Sequence, residues 1–175
     1  METILEAKAY LKNQTEQGKG YKCPACAQFV QVYKRKINAN AARSLILMFN
    51  ESAKYEEDYH KPWKWIHIQK MFAEKGLRAT AMDYIQLSRF RLIEKSKEPA
   101  KDGKKDNGIW RLTPEGAGFA LNRNTIPAYA LVYNNKTIGW ANAKVKITEC
   151  LKEKFKYDEI INRNFLQYKT NEASA

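Results

Sequence analysis

Histidine and cysteine are scarce in this chain, and each shortage excludes something. Two histidines among 175 residues leave little for acid–base work of the usual hydrolase kind. No Gly-rich phosphate loop, HExxH or GxSxG run occurs, which removes the common nucleotide-binding, metalloprotease and esterase constellations. Glu56-Glu57-Asp58 is a run on one polar stretch and not a convergent catalytic pair. Three cysteines, an odd number, do not build a secreted disulfide framework and fit a reducing compartment. No apolar run approaches the ~20 residues that a bilayer span requires. The opening METILEAKAYLKNQ lacks the apolar core of a signal peptide, so the expectation is a cytoplasmic protein without a membrane partner. The chain is read as a binding protein, not an enzyme.

Basic residues and aromatics are plentiful. Thirty-one Lys and Arg face nineteen Asp and Glu, a net charge of +12 with a pI near 9.5. Seven Phe, ten Tyr and four Trp within a 44% hydrophobic composition suffice for a packed core, and the length suits one domain with appendages. Positions 61–113 hold thirteen basic and six acidic residues, an excess of seven. Basicity concentrated on one segment points to a phosphate backbone as partner.

The local signals define the elements. Positions 3–17 carry a partial apolar stripe with Thr3 as cap and Glu6 three residues on, the pattern of a helix. Positions 38–49 have a broad apolar face behind Asn38 or Asn40, a second helix. Trp65 and His67 alternate with Ile66 and Ile68 as in an extended chain, and His67 reads as a structural residue. A helix over 69–75 closes at Gly76, a tight Leu77-Arg78 link follows, and a helix over 79–90 comes next. Leu92-Ile93 and 109–112 form two strands around a Lys-rich loop, and Thr113-Pro114 starts a helix. Tyr129 to Tyr133, Asn134-Asn135 and Lys136 to Trp140 read as a hairpin, since Asn tolerates the left-handed turn. Val145 and Ile147 indicate a further short strand, Thr148 a helix cap, and Asp158 the cap of a helix over 159–165.

The order helix, tight turn, helix and basic two-stranded ribbon resembles the winged helix–turn–helix family. Leu87 followed by Leu92-Ile93-Glu94, and Ile109-Trp110-Arg111-Leu112-Thr113-Pro114-Glu115-Gly116, carry the resemblance over 61–121. Arg91 departs from it, because the family often has Gly before that Leu. The resemblance implies a double-stranded DNA-binding transcriptional regulator. Its helix 79–90 would lie in the major groove and its wing against the backbone. On a regular helix Met82, Asp83, Gln86, Arg89 and Phe90 fall on the outward side, and Ala81, Tyr84, Ile85, Leu87, Ser88 and Arg91 on the inward side. Gln86 and Arg89 are then the candidate base contacts. Arg78, Thr80, Lys101, Lys104, Lys105 and Arg111 are the candidate phosphate contacts. With the CPxC turn and the C-terminal part, the chain also resembles small proteins encoded by bacteriophages and prophages, which implies a host cytoplasm.

Cys23-Pro24-Ala25-Cys26 between short strands has the shape of a zinc knuckle. A closed site needs four ligands, and no second CxxC exists. Three readings stand open: a turn without metal, a zinc completed by a His or Cys elsewhere in the chain, and a zinc shared by the two subunits of a homodimer. The expected architecture is α+β. It comprises an N-terminal helix and CPxC ribbon (1–37), a winged helix–turn–helix (38–122), and a C-terminal hairpin with short helices (123–175). The alternative function is a protein-interaction module that binds and inhibits a host complex. An RNA-binding role shares the charge pattern, but no aromatic stacking platform on a sheet is legible.

Overall fold

The computed structural model describes Glu6 and residues 20–24, 26–53, 64–99 and 108–161, with the backbone alone described at Thr80. The fold is mixed α+β, with six short or medium α-helices and several small antiparallel sheets among the described residues. The chain divides into two compact units, Met1–Lys36 with Ala128–Asn142, and Ile37–Pro127 with Ala143–Ala175. This division differs from the three consecutive segments expected, because the hairpin joins the N-terminal unit. The expected helix over 3–17 lies outside the described residues save Glu6, which is helical and exposed.

In the first unit, β1 (Tyr21–Lys22) pairs antiparallel with β2 (Phe29–Val30) across the CPxC turn. β3 (Tyr33–Arg35) pairs with β8 (Ala130–Tyr133), which pairs in turn with β9 (Lys136–Trp140). The β8–β9 turn is the expected Asn134-Asn135, with φ of 43° and 59°, the left-handed pair that a two-residue hairpin requires.

The second unit is built around α1 (Ala39–Ala53). Asn38 caps it, its Oδ1 accepting from the Ala41 N–H at 2.9 Å. Ala41, Ala42, Leu45, Ile46, Met48 and Phe49 are fully buried. The helix packs against β6 (Ile109–Leu112), α3 (Ile85–Arg89), α4 (Pro114–Ala120), α5 (Ile147–Leu151) and α6 (Tyr157–Ile160). The last two helices therefore belong to this core and not to a separate C-terminal segment. α5 is capped at Lys146, whose N–H donates to Glu149 Oε2 at 2.6 Å, and not at Thr148. α6 begins at Tyr157, ahead of the expected Asp158 cap. β7 (Ile126–Pro127) and β10 (Lys144–Val145) pair antiparallel where the chain leaves and re-enters this unit.

A three-stranded sheet of order β4-β6-β5 completes the unit, with β4 (Ile66–His67) and β5 (Ile93–Lys95) on either side of β6. Its inner face carries Ile66, Ile93, Trp110 and Leu112, all buried. α2 (Ile68–Glu74) follows β4 directly, and His67 caps it by accepting from the Lys70 N–H at Nδ1, 3.3 Å. That is the structural role expected of His67.

Three helices here end alike. Leu77 N–H reaches Phe72 O at 2.8 Å, Leu92 N–H reaches Leu87 O at 3.1 Å, and Arg123 N–H reaches Gly118 O at 2.9 Å. Each is the long bond of a Schellman cap, whose turning residue takes left-handed φ. Those residues are Gly76 (66°), Arg91 (57°) and Asn122 (55°). Arg91 thus holds the conformation that glycine adopts at lowest cost.

Candidate nucleic-acid interface

The segment expected to form one helix over 79–90 is interrupted. Ala79–Ala81 is a 3-10 turn, Asp83 has φ of 50°, and only Ile85–Arg89 is α-helical. The cause is tertiary. Asn40 Nδ2 donates to Ala81 O at 2.9 Å, Ser44 Oγ to Met82 O at 2.7 Å, and Asn38 Nδ2 to Asp83 Oδ2 at 2.7 Å. Three side chains from the first turns of α1 hold the carbonyls and carboxylate of the break. These bonds satisfy groups that an interrupted helix leaves open.

The break rotates the helix against the expected phase. Met82 and Phe90, expected outward, are buried, whereas Ile85, expected inward, is 56% exposed. Leu87 is fully buried, and Tyr84 is half-buried in an aromatic row, 6.0 Å from Phe72 and 5.8 Å from Trp110 between ring centroids. Gln86 and Arg89, the candidate base contacts, are half-buried rather than exposed, and Gln86 Oε1 is buried without a hydrogen-bond partner. Arg78 is exposed immediately ahead of the 3-10 turn that contains Thr80. Arg78 and Thr80 thus lie ahead of the break at Asp83, and Gln86 and Arg89 lie on the short helix after it.

Arg111 is placed elsewhere. It lies on the outer face of the β4-β6-β5 sheet, in register with Glu94. Its Nε donates to Glu94 Oε1, and its guanidinium sits 4.4 Å from the centroid of the Trp65 ring. A cation already stacked and paired is a weaker phosphate ligand than a free one. This Trp65–Arg111–Glu94 row was not legible in the sequence, although alternation of Trp65 with Ile66 signalled its face. Lys101, Lys104 and Lys105 lie outside the described residues. Arg91, Lys95 and Lys97, exposed along the start of the ribbon, are basic positions that sequence reasoning passed over in favour of the loop.

The CPxC turn has the tight form expected. Cys23 N–H donates to Gln28 O at 2.7 Å, Ala27 N–H donates to Cys23 O at 2.8 Å, and Ala27 takes φ of 58°. Cys26 is exposed and Cys23 partly so. The described residues do not complete a zinc site: no group of three or more His, Cys, Asp or Glu is assembled among them. Cys150 is buried on α5, and burial first, with Glu149 second, pushes its thiol up to about 11 against the opposing effect of Lys152. His60, a histidine on which the second of the three readings could draw, lies outside the described residues.

No helix among the described residues is long and apolar enough to cross a membrane. Comparison with protein-family models, with curated proteins and with solved structures finds no match to this chain.

Proposed function

We propose that the second unit contains a winged helix–turn–helix that binds double-stranded DNA and acts as a small transcriptional regulator, without catalysis. One observation carries this reading. Behind α1 the order runs β4, α2, 3-10 turn with α3, β5, β6, with sheet order β4-β6-β5, and the elements from β4 to β6 fall on the segment that holds the excess of seven positive charges. α3 enters the major groove with the 3-10 turn leading. The β5–β6 ribbon and its Lys101, Lys104 and Lys105 follow the backbone, and Arg78 holds a phosphate. Gln86 and Arg89 read bases over a short reach, and Ile85 meets a thymine methyl. The resemblance to phage-encoded proteins supports a site of action in a host cytoplasm.

A second reading, a protein-interaction module, is favoured by Ile85 itself. An isoleucine more than half exposed on a short helix also suits the apolar surface of a protein partner. Selection of bound fragments from random duplex DNA, followed by titration of Gln86→Ala on the selected and on random duplexes, separates the two. The DNA reading expects a loss of ~1–3 kcal/mol on the selected site and little on random duplex. A variant that binds every duplex as the parent does transfers the lead to the protein partner.

A further inference from the structure

The β3-β8-β9 sheet of the first unit has two unlike faces. Strand alternation places Ala130 and Val132 on one face, and these are 0% and 5% exposed. The other face carries Lys34, Leu131 and Gly139 in one cross-strand row, Tyr133 and Lys136 in the next, and Tyr129 just before the central strand. None of these six residues is buried, and Tyr133 is 39% exposed. Lys34 Nζ lies 5.1 Å from the centroid of the Tyr129 ring. Tyr129, Leu131 and Tyr133 follow one another at alternate positions, ~7 Å apart, as a line of flat and apolar surface between two lysines. Gly139 presents no side chain beside Leu131, so the line stays open on that edge.

The charge carried by the strands of this unit and their connecting turns is one-sided. Residues 20–36 and 128–142 contain Lys22, Lys34, Arg35, Lys36 and Lys136 and no Asp or Glu. An open sheet face with aromatic rings along its central strand and lysines on its flanks fits a chain of phosphates whose bases are free to stack. Duplex DNA does not meet that requirement, because its bases are already stacked on one another. Single strands do.

We infer that this face binds single-stranded nucleic acid, with Tyr129 and Tyr133 stacking bases and Lys34 and Lys136 holding the backbone. The site lies apart in sequence from the segment proposed for duplex DNA and does not rest on that proposal. The test is fluorescence anisotropy of the full chain with short labelled oligothymidylate and oligouridylate at low salt. The parent binds at least one of them, and the stronger of the two assigns DNA or RNA. Tyr133→Ala weakens that binding about tenfold, Tyr133→Phe leaves it nearly unchanged, and Lys136→Glu weakens it and flattens its salt dependence. Both Tyr133 and Lys136 are exposed, and unchanged melting of the variants verifies their fold. Arg78→Ala leaves single-strand binding intact while duplex binding is scored separately. Absence of single-strand binding by the folded parent overturns the inference. So does a Tyr133→Ala variant that binds as the parent, or a loss that follows Arg78→Ala instead.

Discussion

Arg91 turns the chain from α3 into β5 at φ of 57°, a conformation that costs a residue with a Cβ about 1–2 kcal/mol. Its carbonyl accepts from Thr113 Oγ1 at 2.7 Å, so the turn is held from outside by the residue that caps α4. Arg91 is exposed, and its side chain is not part of the core. Arg91→Gly should therefore raise stability by about 1 kcal/mol, net of the extra freedom glycine gains on unfolding, as measured by denaturant melting. A variant less stable than the parent would place the value of Arg91 in its side chain.

Cys150 makes a prediction in pH. Its thiol, ordinarily near 9, is pushed up to about 11 by burial. A raised folded value means that the native state keeps a proton the unfolded chain has lost. The contribution is fully present below about pH 9 and is lost as pH rises from about 9 to about 11. Tyr157, half-buried with its hydroxyl donating to Ala120 O at 2.9 Å, is pushed up from 10 to about 12, chiefly by burial, and extends the loss further. Compared with the parent, Cys150→Ala should show a shallower decline in melting temperature between pH 9 and pH 11. Parallel declines in the two proteins would contradict the burial account.

At the scale of elements, α4 shows how closely the helices of the second unit are set against its sheet. Thr113 caps the helix, accepting from Gly116 N–H at 3.0 Å, and Pro114 stands at its first turn, as the sequence led one to expect. Gly116 itself lies against Leu92, the residue just before β5: a Cβ there would sit 1.9 Å from the carbonyl oxygen of Leu92. That oxygen belongs to the backbone and accepts from Thr113 N–H at 3.1 Å, so it cannot move without breaking the junction. Gly116→Ala should cost at least ~2 kcal/mol in chemical denaturation. A near-neutral result would mean that α4 shifts freely.

Elements set by local chemistry were legible in sequence: the Asn38 cap of α1, the Gly76 stop, the Asn134-Asn135 turn and the Thr113-Pro114 start. Those set by distant partners were not. Nothing local in 79–90 signals a break, because the groups that hold it are Asn38, Asn40 and Ser44, on another helix. The candidate base contacts inherited that error, since the outward positions of Gln86 and Arg89 were read from an unbroken 3.6-residue period. The pairing of β3 with β8 was equally hidden, as β-ladders between remote strands leave no mark on spacing. With it went the row of Tyr129, Leu131 and Tyr133 on that sheet, where the sequence reading had found no aromatic platform for an RNA-binding role.

At the scale of the molecule, the hairpin of the first unit is inserted into the second between β7 and β10. Pro127 and Lys144 are direct cross-strand partners, about 5 Å apart at Cα, so the insertion leaves and returns at nearly one point. Replacing residues 128–142 by a short Gly-Ser link should leave the second unit folded, with its helical circular dichroism and cooperative melting kept. It should abolish binding of oligothymidylate and oligouridylate while sparing duplex DNA. Loss of cooperative melting would show that the units do not fold independently.

If the second unit holds duplex DNA through its positive excess, binding must weaken with salt. A salt titration of duplex binding tests it most directly. Each neutralised phosphate releases counterions, so the logarithm of the binding constant falls linearly with the logarithm of salt concentration, with a slope of about −0.9 per contact. Such a line is expected for the parent, with a slope shallower by about one on Arg78→Ala. Lys104 and Lys105 replaced together should flatten it further on every duplex tested. A folded protein that fails to bind duplex at low salt, or binds it with no dependence on salt, contradicts the account.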